Sequence, residues 1–104
     1  MILKRILNTE RLRRVPPSFG YVDHRLVRNG YVKRADARAW ALYLVLITVG
    51  DENGLSYYSE RSLADLLGVL PAEIAAARQR LVAAGVLAYE EPLYQVLALE
   101  EAVR

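Results

Sequence analysis

His24 is the only histidine of the chain, and it follows Asp23, which makes one local pair of imidazole and carboxylate. A single imidazole and no cysteine leave no His-based metal site, no thiol nucleophile and no set of partners for a His-centred triad. The paired carboxylates Glu90-Glu91 and Glu100-Glu101 are adjacent in sequence, so on a strand the members of each pair point to opposite faces. They read as solvated charges and not as an acid/base dyad. No glycine-rich loop is available to cradle a phosphate. The expectation from this inventory is a protein that is not an enzyme and uses no cofactor and no metal.

The remaining chemistry is charge. Residues 1–40 carry ten basic side chains against Glu10, Asp23 and Asp36, a balance of +7. Residues 41–104 carry four basic side chains against nine acidic ones, a balance of −5, so the net charge of +2 hides a basic half and an acidic half. A basic half on a small chain attracts polyanions, of which nucleic acid is the commonest in a cytosol.

The elements that must present these groups follow from periodicity and punctuation. Residues 2–14 have Ile2, Leu3, Ile6 and Leu7 on one side and Lys4, Arg5 and Arg11 elsewhere, which predicts a short amphipathic helix ended by Pro16-Pro17. Tyr21 to Lys33 surrounds the tight-turn dipeptide Asn29-Gly30 and reads as an extended arm or small hairpin. Ala35 to Val49 is the clearest helix, with Asp36 as cap and apolar residues over most of its circumference, so it should be central, with Trp40 in the core. The cluster Gly50-Asp51-Glu52-Asn53-Gly54 ends it, and Leu55 to Tyr58 reads as a short strand. Ser59 caps a helix over Glu60 to Leu67 that Gly68 stops, and Pro71 opens another that runs to Ala84, with Gly85 as its left-handed stop. Val86 to Tyr89 and Leu93 to Leu99 read as two strands joined by Glu90-Glu91-Pro92. The seven tyrosines are spread along the chain in a way that suits core and strand packing better than base stacking.

A chain of 104 residues with 54% hydrophobic residues fits one domain and buries about two-thirds of the surface its unfolded form exposes. High apolar content at low net charge excludes overall disorder. The absence of cysteine excludes a disulfide scaffold. The longest apolar run, Ala39 to Ile47, is nine residues, far short of the ~20 of a membrane span, and the basic start lacks the apolar stretch of a secretory signal. A cytoplasmic domain without membrane contact is the expectation.

The piece Leu63-Ala64-Asp65-Leu66-Leu67-Gly68-Val69, followed by Pro71 to Leu87, resembles a bacterial helix-turn-helix, with Ala64, Gly68, Ile74, Leu81, Gly85 and Leu87 at the places the pattern requires. With a strand before it and a hairpin after it, the stretch over residues 36–99 resembles a winged helix-turn-helix domain. Phe19-Gly-Tyr-Val-Asp-His-Arg, Leu42-Tyr-Leu and Leu55-Ser-Tyr-Tyr-Ser look like pieces of small helix-turn-helix proteins of mobile elements and replication initiators. The resemblance implies an α+β, mainly helical fold: a three-helix core with a β-hairpin wing over residues 35–104, preceded by a basic N-terminal arm or helix over 1–34. It implies binding to double-stranded DNA in transcription regulation or replication initiation, or, as the alternative, a winged-helix adaptor that binds protein.

In that family the third helix enters the major groove. Carried over, the core side is Ile74, Ala77, Leu81 and Ala84, and the side toward DNA is Ala72, Glu73, Ala75, Ala76, Gln79 and Arg80, with Arg78 at the edge. The chain departs from the pattern in two places. Leu70 stands where a Ser or Thr cap is usual, and three alanines replace side chains that read base edges, so direct readout should be thin. Glu90-Glu91 at the wing tip repels phosphate and suits a protein partner. Phosphate contacts would then fall to Arg11, Arg13, Arg14, Arg25, Arg28, Lys33 and Arg34. One short helix contacts few bases, so a homodimer is expected, held in part by Ile2, Leu3, Ile6 and Leu7.

Overall fold

Four helices and one three-stranded antiparallel sheet make up the structure, a computed structural model that describes residues 2–100. The helices are α1 (Arg25–Arg28), α2 (Ala37–Val49), α3 (Glu60–Leu67) and α4 (Pro71–Ala83), with a 3-10 turn at Tyr31–Arg34 between the first two. The strands are β1 (Leu55–Ser56), β2 (Leu87–Glu90) and β3 (Leu93–Val96), in the order β1-β3-β2. β3 is therefore central: Tyr94 lies opposite Ser56 on one side and Tyr89 on the other.

Local signals account for the starts and stops from α2 onward. The Asp36 carboxylate accepts the Ala39 N–H at 2.9 Å, and the Ser59 hydroxyl accepts the Ser62 N–H at 3.0 Å, so each satisfies a donor that the first helical turn leaves unpaired. Pro71 stands at the first position of α4. Gly68 (φ 68°) turns the chain between α3 and α4 in the left-handed region that glycine enters without strain.

The apolar faces of these elements meet in one core. Leu42 and Leu46 of α2, Leu63 of α3, Ile74 and Leu81 of α4, Val86, Leu87 and Tyr94 are all within 2% of complete burial. The core side read for α4 is correct, since Ile74, Ala77, Leu81 and Ala84 are all buried. Trp40 is only half-buried; its indole N–H donates to the Val32 carbonyl at 2.9 Å and its ring meets Tyr43 edge-on at 5.2 Å.

The first 34 residues differ from expectation. No helix forms over 2–14: Ile2, Leu3, Ile6 and Leu7 are exposed, and the Asn8 side chain takes the Glu10 and Arg11 N–H groups in a local turn. A helix of that length gains little without a docking surface, and an asparagine that captures backbone donors competes with it. Residues 2–20 instead run as an irregular exposed arm, which contributes to a radius of gyration of 16.0 Å against the ~13 Å of a compact chain this long.

Neither the extended arm nor the small hairpin expected over 21–33 spans that stretch. Asp23 accepts the Arg25 N–H at 2.9 Å and starts α1, Asn29 and Gly30 (φ 80°) close it, and the 3-10 turn follows. Burial of Leu26 and Tyr31, five positions apart, drives this arrangement and brings both into the core of the helices that follow. β1 and β3 are shorter than expected, ending at Ser56 and Val96, whereas β2 keeps its four residues one position later than expected.

Candidate nucleic-acid interface

Three neighbours divide the circumference of α4. Its buried stripe faces the core. One flank meets α3 and the sheet, where the Arg78 guanidinium lies 2.8 Å from a Glu60 carboxylate oxygen, donates to the Tyr94 hydroxyl at 3.1 Å and sits 4.2 Å from the Tyr89 ring centroid. With its side chain 13% exposed, Arg78 is tied into the fold and does not project from the helix. Burial raises the Tyr94 hydroxyl above the ordinary tyrosine range, and the Arg78 cation opposes that shift without reversing it.

The other flank meets the start of α2 and the turn that precedes it. Arg34 donates to the Ala84 carbonyl at 3.0 Å, Arg80 lies 3.7 Å from Asp36, and Arg38 pairs with Glu73. Arg34, stacked 4.1 Å over Tyr31, thereby places a cation at the C-terminal end of α4, where the helix dipole favours it. At the opposite end the Glu73 carboxylate accepts the Leu70 N–H at 2.9 Å. That bond satisfies the Leu70 N–H, while the Glu73 N–H, which a hydroxyl at position 70 would take, donates to the Leu70 carbonyl at 2.9 Å.

What remains toward solvent is a face of small residues. Ala72, Gln79, Val82 and Ala83 are exposed, and Ala75 and Ala76 are half-buried. Of the residues expected here, Ala72, Ala76 and Gln79 share this face, Glu73 and Arg80 lie on its α2 flank with ion-pair partners, and Arg78 is turned inward. Val82 and Ala83 were not singled out in the sequence, although continuing the same helical spacing one turn past Gln79 reaches both.

The basic side chains divide in the same way. Arg25 grips Asp23 through two nitrogens, with Nη2 at 2.7 Å, and that contact holds the Asp23 carboxyl below its usual range. With Arg34 on Ala84, two of the seven expected phosphate contacts are structural. Arg11, Arg13, Arg14, Arg28 and Lys33 are exposed and have no ion-pair partner among the described residues. Arg11, Arg13 and Arg14 lie on the arm. Glu90 and Glu91 are exposed at the hairpin tip.

The packing role expected of all the tyrosines holds only for some. Tyr31, Tyr43 and Tyr94 are buried, whereas Tyr21 and Tyr57 are 82% and 72% exposed and Tyr58 is 40% exposed. Tyr57 and Tyr58 leave the sheet just before α3, where the exposed Arg61 occupies the first helical turn. His24 precedes α1 and makes no capping bond with its side chain. Among the described residues no three His, Asp or Glu side chains come together to hold a metal ion, and no helix is long and apolar enough to cross a membrane.

Set against known proteins, the chain matches no family model, no curated protein and no solved structure. The geometry is therefore the ground for a functional reading.

Proposed function

We propose that this chain is a winged-helix protein that binds double-stranded DNA, with α4 laid in the major groove and the basic arm on the phosphates. The observation that carries the reading is the arrangement from residue 37 onward. Helix, strand, helix, turn, helix and hairpin follow in that order, the sheet runs β1-β3-β2, and among the described residues no other element covers the outer face of α4. A helix needs such a clear face to enter a groove about 12 Å wide. Unpaired cations supply most of the affinity of such a complex by displacing counterions, and here they are concentrated before residue 35. The α+β arrangement of helices on one three-stranded antiparallel sheet supports the winged helix.

The protein acts as a homodimer in this reading, with the exposed apolar side chains of residues 2–7 contributing to the contact between copies. Four large apolar side chains exposed on the arm are costly in water.

A second reading, an adaptor that binds protein, is favoured by the uncharged face of α4 and by the acidic tip at Glu90-Glu91. A mobility shift on mixed genomic fragments at low salt separates the two. Retarded DNA at micromolar protein is expected, and unretarded DNA would leave the adaptor standing.

A further inference from the structure

Four polar side chains of α4 were candidates for reading bases, and three of them are engaged within the fold. Glu73 accepts from its own helix start and pairs with Arg38, Arg78 is held by Glu60, Tyr94 and Tyr89, and Arg80 leans toward Asp36. Gln79 is exposed, lies on the clear face, and makes no hydrogen bond within the described residues. Its neighbours on that face, one and two turns toward the N-terminus, are Ala72, Ala75 and Ala76.

We propose that Gln79 is the specificity-determining residue of α4 and selects an A·T pair. The inference rests on the DNA-binding reading and extends it to the class of sequence preferred. A glutamine amide carries one acceptor and two donors, which match the N6 amino group and N7 of adenine in the major groove. The guanidinium that would choose guanine through O6 and N7 lies off this face, because Arg78 is turned inward and Arg80 stands on the α2 flank, 3.7 Å from Asp36. Alanine methyls add contact with the thymine methyl and keep the helix surface low, so the Gln79 amide reaches the base edges without a clash from longer neighbours.

The test is selection from a random duplex library with the full chain, carried out on the unmutated protein, Gln79→Ala, Gln79→Arg and Arg80→Ala. The unmutated protein should enrich an A·T pair at one position of each half-site, with at least roughly tenfold preference over G·C there. Gln79→Ala should abolish that preference and leave the melting temperature as it was, since the side chain is exposed. Gln79→Arg should move the preference to guanine. Identical selections for the unmutated protein and Gln79→Ala, or a preference that vanishes with Arg80→Ala instead, would overturn the assignment and leave DNA binding intact. No retention of any duplex at low salt would overturn the inference together with the reading beneath it.

Discussion

Arg78 donates from Nη1 to the Tyr94 hydroxyl across 3.1 Å and so fastens α4 to the central strand of the sheet. The same guanidinium reaches Glu60 of α3, so one half-buried residue joins three elements around the hairpin. Truncation would strand a buried tyrosine hydroxyl and remove a charged hydrogen bond. Arg78→Ala should therefore destabilise the fold by roughly 1.5–3 kcal/mol. For a domain of this length each kcal/mol lowers Tm by about 4–8 °C. A melt unchanged within a degree would show that the Arg78 contacts are not formed in solution.

Gly54 has φ of 78°, and a Cβ there would stand 2.7 Å from the Val96 carbonyl oxygen. Gly54→Ala combines a left-handed backbone with a clash against β3, where relief requires the backbone to move. The strained dihedral alone costs roughly 1–3 kcal/mol. A urea titration should place the variant well below the unmutated protein, whereas Gly68→Ala, also left-handed but with open space around it, should lose less.

Alkaline pH should destabilise the protein in a defined window. Burial raises the hydroxyls of Tyr94 and Tyr43, and for Tyr43 the nearby Asp23 charge adds to the shift. Both folded values lie above the unfolded one, so the unfolded chain ionises first as pH climbs. Stability from these groups is complete below about pH 10 and is lost as pH rises through the folded values. Urea midpoints measured from pH 8 to 11.5 should hold and then fall, and Tyr43→Phe should lessen the fall. A flat profile through pH 11.5 would contradict the buried placement of both rings.

The arrangement from Asp36 to Val96 was legible in the sequence because each boundary is set by a local device: a carboxylate or hydroxyl cap at Asp36 and Ser59, a proline at 71, a glycine at 68 and 85. The first 34 residues were not. Asn29-Gly30 serves a hairpin and a helix stop equally well, and the choice was made by burial of Leu26 and Tyr31 against elements later in the chain. The fate of the candidate site residues depended on still longer separations. Arg34 meets Ala84 across 50 positions and Arg78 meets Tyr94 across 16, so neither could be recognised as engaged from its own neighbourhood. Gln79 and the alanines needed only the helical period and were placed correctly on the outer face.

Assembly is open to direct measurement. In the proposed homodimer, light scattering at micromolar concentration should report twice 11.7 kDa. Leu3→Asp with Ile6→Asp should shift the mass toward that of one chain, with the melt of each folded unit little changed because both side chains are exposed. A monomer in the unmutated protein would exclude this contact.

The salt dependence of duplex binding tests the central claim most directly. Affinity for a labelled duplex, measured between 50 and 200 mM salt, should fall along a straight log–log line whose slope is about 0.9 per phosphate contacted. Replacing Arg11, Arg13 and Arg14 with Ala should weaken binding to every sequence alike and flatten that slope by up to about 2.7. Stability should be unaffected, since none of the three has an ion-pair partner among the described residues. An unchanged slope in the triple variant, or no duplex binding at 50 mM salt, would contradict the account.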